Sequence, residues 1–129
     1  MKKRKLTTVK RELDTVFSKY IRLRDSIDGI VGACKTCNKI QDISQMDAGH
    51  FMSRRFMSTR WNEKNVHLQC KYCNNWGAGE QFKMGKYIDK VYGSGTANNL
   101  EEMSKIPTKL NVVDLELRIK YYKDLLKSS

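Results

Sequence analysis

Apolar side chains recur every three or four positions in the first 24 residues of the chain. This spacing predicts a helix over about residues 7–24, because 3.6 residues per turn bring such positions to one side. Basic residues occupy the opposite face, which favours contact with phosphates over simple solvation. The apolar positions are Val9, Leu13, Val16, Phe17, Tyr20 and Leu23.

The helical pattern is lost between residues 29 and 77, which contain all four cysteines and both histidines. Short apolar runs predict two strands there, at residues 47–51 and 66–69. Two strands of this length are not stable as an isolated hairpin. We therefore expect bound ligands to hold this part of the chain together.

Helical character returns near Gly79 and stops at the Gly93-Ser94-Gly95 break. Four apolar residues share one face of this predicted helix: Phe82, Tyr87, Ile88 and Val91.

Two more helices are predicted at the carboxyl end, separated by Pro107. Asn98 and Asn111 are their expected N-cap residues, since each is followed three positions later by an acidic residue. The last helix has an apolar stripe that either packs back on the core or forms a dimer surface, and packing is the preferred interpretation. Its members are Leu115, Ile119, Tyr122 and Leu126.

Length and charge limit the function classes. A chain of 129 residues corresponds to one domain, which we place over residues 1–129. The formal net charge is +11, and residues 1–24 alone carry +7. Such an excess favours a polyanionic partner.

Apolar stretches are too short to span a membrane. Residues 1–5 are basic, but no apolar segment follows them, so a secretory signal is not expected. We therefore expect a protein of the reducing cytoplasm, in which disulfides are disfavoured.

Two Cys-x-x-Cys motifs use every cysteine of the chain: Cys34 with Cys37, and Cys70 with Cys73. Four thiolates presented by two tight turns form a closed tetrahedral set, which predicts a structural zinc ion. A redox pair or an iron–sulfur cluster is the weaker alternative. The 32 residues between the motifs must contain further structure.

Both histidines lie within this zinc-closed loop, and neither is needed to complete the zinc site. His50 follows Asp47-Ala48-Gly49, His67 lies in the segment Asn65-Val66-His67-Leu68-Gln69, and Asn74 directly follows the second motif. A lone histidine is most often a hydrogen-bonded structural residue. The polar residues near these two histidines favour a catalytic or metal-binding role instead.

This order of residues resembles the HNH, or His-Me finger, nucleases over residues 34–90. More narrowly, the Ala-Gly-His-Phe and Asn-x-His-x-Gln-Cys-x-x-Cys-Asn patterns resemble the NinG (Rap) recombination proteins of lambda-type phages. The resemblance implies an α+β fold in which a treble-clef zinc module contains a ββα-metal core. Residues 29–92 would form this core, flanked by a basic amino-terminal helix or arm (1–28) and carboxyl-terminal helices (93–129).

The resemblance also implies roles. His50 would be the general base that takes a proton from the attacking water, and Asn65 would brace the loop that orients it. Asn74 would bind a catalytic Mg²⁺ or another divalent ion. Gly49 departs from the pattern, since many HNH enzymes have a metal ligand there; either Asp47 or His67 is the expected replacement, with Asp47 preferred because Gly49 leaves space beside it.

Basic residues near the amino terminus and after His50 are expected to contact DNA phosphates. Phe56 and Trp61 are expected to pack against the zinc module. The predicted DNA-binding residues are Lys2, Lys3, Arg4, Lys5, Lys10, Arg11, Arg54, Arg55 and Arg60.

The sequence therefore predicts a phage-type recombination endonuclease that hydrolyses DNA, with branched intermediates as the substrate that the resemblance implies. It would act in the cytoplasm of the host cell, and a homodimer would suit symmetric cutting of a junction. The alternative is a non-catalytic, zinc-containing DNA-binding or recombination-mediator module, which Gly49 keeps open.

Overall fold

The structure, a computed structural model, describes residues 3–128 and begins with the amphipathic helix α1 (Leu6–Arg24). The helix predicted over residues 7–24 is confirmed. Val9, Leu13 and Phe17 are buried along its inner face, as predicted, and Ile21 is buried with them. Lys2 lies outside the described residues.

A first antiparallel pair joins β1 (Val31–Ala33) and β2 (Ile40–Asp42), with Val31 opposite Asp42. The turn between these strands carries Cys34 and Cys37. Neither strand was predicted, because three residues are too few to show an alternating pattern.

A second antiparallel pair joins β3 (Met46–His50) and β4 (Val66–Cys70). The two predicted strands are confirmed, each shifted or extended by one residue. In this register Asp47 lies opposite Gln69, and Gly49 lies opposite His67. The connection between the strands contains the short helix α2 (Met57–Arg60).

The chain leaves β4 through a π-helical turn at Tyr72–Trp76 and a 3₁₀ turn at Ala78–Glu80, and then forms α3 (Gln81–Tyr92). Met84 and Ile88 are the buried residues of α3. The predicted face of this helix is confirmed only in part: Ile88 is buried and Tyr87 packs partly buried beside it, whereas Phe82 and Val91 are exposed. The i, i+4 pair of Met84 and Ile88 packs with Met52 and Leu100 and fixes the orientation of the helix instead.

Helix α4 (Thr96–Ser104) begins after Gly95, and Asn98 lies inside it. The predicted cap at Asn98 is wrong, because the Asp89 carboxylate accepts the Ala97 N–H and Gly95 adopts a positive φ of 93°. The predicted cap of α5 (Val112–Lys127) is confirmed, since the Asn111 side chain accepts the backbone N–H groups of Val113 and Asp114.

The main apolar core lies between α1 and α5. Tyr122 meets Phe17 edge to face, with ring centroids 5.1 Å apart, and Leu115 and Ile119 are buried beside them. The preferred prediction, that α5 packs on the core, is confirmed. Trp61 belongs to this core, and Phe56 packs against the cluster around Met52 and Met84, so their predicted packing on the zinc module is wrong.

The fold is mixed α+β, with two small antiparallel sheets and helices around them. No helix within residues 3–128 is long and apolar enough to cross a membrane.

Candidate active site and zinc centre

The four cysteine sulfurs form one cluster, in which all Sγ atoms lie within 4.8 Å of one another. Cys37 Sγ and Cys70 Sγ are 3.8 Å apart. Tetrahedral bonds of about 2.3 Å to zinc place sulfurs roughly 3.8 Å apart, so the spacing fits a zinc ion. The predicted clustering of the four cysteines is confirmed.

The backbone around the cluster prepares it for a cation. Asn38, at a positive φ of 66°, closes the first turn by donating its N–H to the Cys34 carbonyl oxygen. The Cys73 N–H points at Cys70 Sγ, 3.5 Å away. Burial raises the pKa of the Cys73 thiol to about 12, whereas at Cys34 burial is outweighed by hydrogen bonds from Thr36 and the backbone, which lower the pKa of that thiol to about 6. Because zinc binds thiolates, the cluster fits a structural ion that displaces these protons.

Beside the β3–β4 pair lies a cavity of about 510 Å³. Three predicted site residues line this cavity: Asp47 from the start of β3, His50 from the end of β3, and Asn74 from the turn after β4. Asp14 of α1 and Arg54 complete its charged wall. The structure thus brings three of the predicted site residues to one place.

The His50 ring has a defined orientation. Its Nε2 lies 2.9 Å from the Arg60 carbonyl oxygen, which can only accept a proton. In the neutral ring Nδ1 therefore carries the lone pair. Burial lowers the pKa of His50 to about 4, although the hydrogen bond to the Arg60 carbonyl acts in the opposite direction.

Asn65 is fully buried and braces the segment that follows His50. Its Oδ1 accepts the Met52 N–H at 2.8 Å, and its Nδ2 donates to the carbonyl oxygens of Met52 and Thr59 at 3.0 and 3.1 Å. Thr59 directly precedes Arg60. Asn65 therefore fixes both ends of the loop whose carbonyl group orients His50.

Asp47 and Asn74 are in direct contact, since Asn74 Nδ2 donates to Asp47 Oδ2 at 3.0 Å. The Lys71 ammonium lies 2.7 Å from the other carboxylate oxygen. The exposed Lys71 side chain is free to move aside, whereas Asp47 is held by its strand. The pair therefore offers a carboxylate and an amide group at the cavity wall.

His67, the other candidate metal ligand, lies elsewhere. It is 1% exposed, does not line the cavity, and has both ring nitrogens occupied. Arg24 donates to its Nδ1 at 3.0 Å, and its Nε2 lies 2.8 Å from the Lys64 carbonyl oxygen. The structure thus brings Asp47, and not His67, to the cavity.

Gln69 fills the space beside Gly49 that we expected to be open. A Cβ atom at position 49 would lie 1.8 Å from Gln69 Oε1. Gln69 Nε2 donates to the Gly79 carbonyl oxygen and to Thr36, while its buried Oε1 has no hydrogen-bond partner. Gln69 belongs to the sequence motif, but its contact with Gly49 becomes apparent only when β3 pairs with β4.

Asp14 is a second residue that the sequence did not single out. Its carboxylate accepts from the Arg60 guanidinium through both oxygens and from Trp61 Nε1 at 2.9 Å. Helix α1 is thereby tied to the residue whose carbonyl group holds His50. The signal in the sequence was weak, because Asp14 is one of two acidic residues, with Glu12, among the basic residues of α1.

A second cleft of about 620 Å³ shares Asp14, Ser18 and Arg54 with the cavity. The predicted residues Lys10, Arg11, Arg54 and Arg60 line it, together with Arg22, which was not predicted as a contact. Arg60 is only 14% exposed and paired with Asp14, so its charge is largely used within the protein. The remaining arginines give the cleft an excess of positive charge.

Within residues 3–128, the other predicted DNA-binding residues lie outside this cleft. Arg4 pairs with Glu12 at 2.6 Å and with Glu116 of α5. Arg55 lies over the Phe56 ring, and Lys3 and Lys5 are exposed ahead of α1.

A family model described as bacteriophage lambda NinG protein matches residues 1–129. No curated protein and no solved structure matches the chain. The matched range includes the cysteine cluster, the cavity and the flanking helices.

Proposed function

Starting from the fact that this chain belongs to the bacteriophage lambda NinG family, we propose that it is a zinc-containing, divalent-metal-dependent DNA endonuclease of phage recombination. The observation that carries the proposal is the single cavity lined by His50, Asp47 and Asn74. In this proposal, β3, β4 and α3 form the ββα-metal core of an HNH enzyme within a treble-clef zinc module. The fold alone would not imply this chemistry, which depends on the residues that line the cavity.

His50 acts as the general base. Its Nδ1 accepts a proton from water, and the water oxygen attacks phosphorus while the bond to a bridging oxygen breaks. The leaving oxygen takes its proton from solvent. A low pKa keeps His50 neutral at pH 7, and a nearby phosphate anion would raise that pKa and favour proton uptake.

Asp47 and Asn74 would hold the divalent ion, since carboxylate and amide oxygens are donors that Mg²⁺ prefers. When bound, such an ion polarises the phosphate and stabilises charge on the leaving oxygen. The Asp47 carboxylate is already neutralised by a cation, the Lys71 ammonium. This pairing supports Asp47 as a position where positive charge is favoured.

The basic cleft would position the DNA strand. Lys10, Arg11 and Arg54 can contact successive phosphates on the way to His50, because the cleft and the cavity share a wall. Such contacts fix the register of a strand without reading its sequence. Branched recombination intermediates are the proposed substrates, and the host cytoplasm is the proposed location.

Cleavage of branched and linear DNA, with and without Mg²⁺, tests the proposal. We expect Mg²⁺-dependent cutting that His50→Ala abolishes while DNA binding and zinc content persist. Asn74→Ala should also abolish cutting, and Asn75→Ala is its matched control, since Asn75 is an exposed neighbour outside the cavity.

Cutting by His50→Ala at the rate of the parent would remove His50 from the mechanism. If the parent binds DNA but cuts none of the substrates with Mg²⁺ or Mn²⁺, the non-catalytic DNA-binding module is the correct function.

A further inference from the structure

An exposed aromatic patch lies directly after the zinc centre. Among the described residues, the three most exposed large hydrophobic side chains are Trp76, Phe82 and Tyr72, which are 84%, 76% and 69% exposed. All three are aromatic and fall within eleven residues of sequence. Folding normally buries such rings, so their exposure together indicates a binding surface.

Two of these rings share the turn that carries Asn74. Tyr72 and Trp76 begin and end the π-helical turn Tyr72–Trp76, and Asn74 lies midway between them. Side chains four positions apart on a helical turn lie on the same side. Since Asn74 and Ala78 line the cavity, Trp76 lies between two cavity residues in sequence.

The charges around these rings are positive in sum, because three lysines outnumber the two carboxylates, Asp47 and Glu80, that pair with Lys71 and Lys83. Lys71 precedes Tyr72, and Lys83 and Lys86 follow Trp76 on α3. The Lys86 ammonium covers the Phe82 ring at 4.5 Å, whereas no cation–π contact is found for Tyr72 or Trp76 among residues 3–128. Both rings thus lie on the turn that supplies Asn74 to the cavity wall, although neither ring itself lines the cavity or the cleft.

We propose that Tyr72 and Trp76 form a stacking platform for unpaired nucleobases of the strand whose phosphates occupy the cavity. The inference rests on the proposed function for its ligand, DNA, but not on catalysis. Paired bases are stacked on one another, so only unpaired bases present a free face to an aromatic ring. The platform would therefore select DNA that contains single-stranded segments, as branched DNA does.

Stacking of one base on an aromatic side chain contributes roughly 5- to 150-fold in affinity. We expect Trp76→Ala to weaken binding of a single-stranded or forked oligonucleotide at least about fivefold. Binding of a blunt duplex of the same length should change less than about twofold. Trp76→Phe should retain most of the affinity, because phenylalanine preserves a stacking face.

Binding is measured with zinc-loaded protein without added Mg²⁺, so that the result does not depend on cutting. Tyr72→Ala should also weaken binding of single-stranded DNA. Its matched control is Tyr121→Ala, which removes an exposed tyrosine of α5 and should leave that binding unchanged. Fluorescence gives a second readout, since Trp76 is exposed and Trp61, the other tryptophan, is buried. Single-stranded DNA should quench the fluorescence of Trp76 in the parent protein. The Trp76→Phe variant lacks this emission and should show no such quenching.

Equal weakening of duplex and single-stranded binding by Trp76→Ala would overturn the proposal, as would unchanged binding of both. Loss of self-association in Trp76→Ala, with DNA binding intact, would show that the rings cover a second copy of the chain. A protein that binds single strands through Trp76 but never cuts would keep this proposal and remove the catalytic one.

Discussion

The Nε2 atom of His50 lies 2.9 Å from the backbone carbonyl oxygen of Arg60, ten residues further along the chain. Since a carbonyl oxygen only accepts, this contact assigns the ring proton of neutral His50 to Nε2. Arg60 is in turn held by Asp14 of α1. The orientation of His50 thus depends on contacts with two separate parts of the fold.

The buried His50 ring should make stability pH-dependent. Its pKa is lowered from 6.5 to about 4 by burial, so protonation favours the unfolded chain. This contribution is fully present above pH 6.5 and is lost as the pH falls towards 4. At pH 5 the loss should be about 2 kcal/mol, since each pKa unit corresponds to about 1.4 kcal/mol.

Urea unfolding of the parent and of His50→Gln between pH 7.5 and pH 5 isolates the contribution of His50 to the free energy of unfolding. Carboxylates and thiols titrate in both proteins, so their contributions cancel in the difference. The free-energy difference between the two should shrink as the pH falls. A constant difference would show that His50 is not buried in its neutral form.

Asp14 should position the His50 loop. Asp14→Asn keeps the size of the side chain but removes the ion pair with Arg60 and places an N–H group where an acceptor is needed. We expect the free energy of unfolding to fall by about 2 kcal/mol, as for other partly buried charged hydrogen bonds. The ¹⁵N chemical shifts of His50 should also move, because its acceptor at Arg60 is no longer held.

Asp124→Asn is the matched control, since Asp124 forms an exposed i, i+4 ion pair with Lys120. Loss of this exposed ion pair should leave the free energy of unfolding and the ¹⁵N chemical shifts of His50 unchanged. Unmoved His50 shifts in Asp14→Asn would mean that the loop is held without α1.

Gly49 should not tolerate even alanine. The added Cβ would lie 1.8 Å from Gln69 Oε1, and Gln69 cannot swing away without breaking its bonds to Thr36 and Gly79. We expect Gly49→Ala to cost about 3 kcal/mol in unfolding free energy. Gly85→Ala, inside α3, is the control: the added Cβ would lie 3.2 Å from the Phe51 ring, which a shift of a few tenths of an ångström relieves, so this change should cost well below Gly49→Ala.

Because the clash joins two residues, the effects should not add. Gly49→Ala combined with Gln69→Ala should cost less than the sum of the single changes. Additive costs would place Gln69 away from Gly49.

Local patterns explain what the sequence could predict. Helix α1 and the strands β3 and β4 follow from periodicity, and the cap at Asn111 follows from its own side chain. The cysteine cluster follows from two spacings that use all cysteines. In each case the signal lies within a few neighbouring residues.

Tertiary contacts decided the rest. The buried face of α3 depends on Met52 and Leu100, which lie far from it in sequence. Asp14 and Gln69 gain their importance only when α1 meets Arg60 and when β3 pairs with β4. No local pattern could distinguish these residues from ordinary surface polar side chains.

Removal of zinc should unfold the region around the cluster. Its buried residues are few: within residues 3–128, the apolar cluster around Cys34, Cys70 and Cys73 adds Met46, Leu68 and the partly buried Ile43. The strands β1 and β2 have three residues each and cannot hold the turn of Cys34 and Cys37 alone. Structural zinc contributes on the order of 10 kcal/mol to small domains, which is comparable to the net stability of a whole domain.

We therefore expect Cys70→Ser to lose its zinc and most of its cooperative unfolding transition, measured by metal analysis and circular dichroism. The chain offers no cysteine outside the cluster as a control, so metal replacement serves instead. Refolding with Co²⁺ should restore the transition in the parent and give the absorption bands of four thiolate ligands. A Cys70→Ser protein that retains one zinc per chain and the parental transition would show that the cluster is not the metal centre.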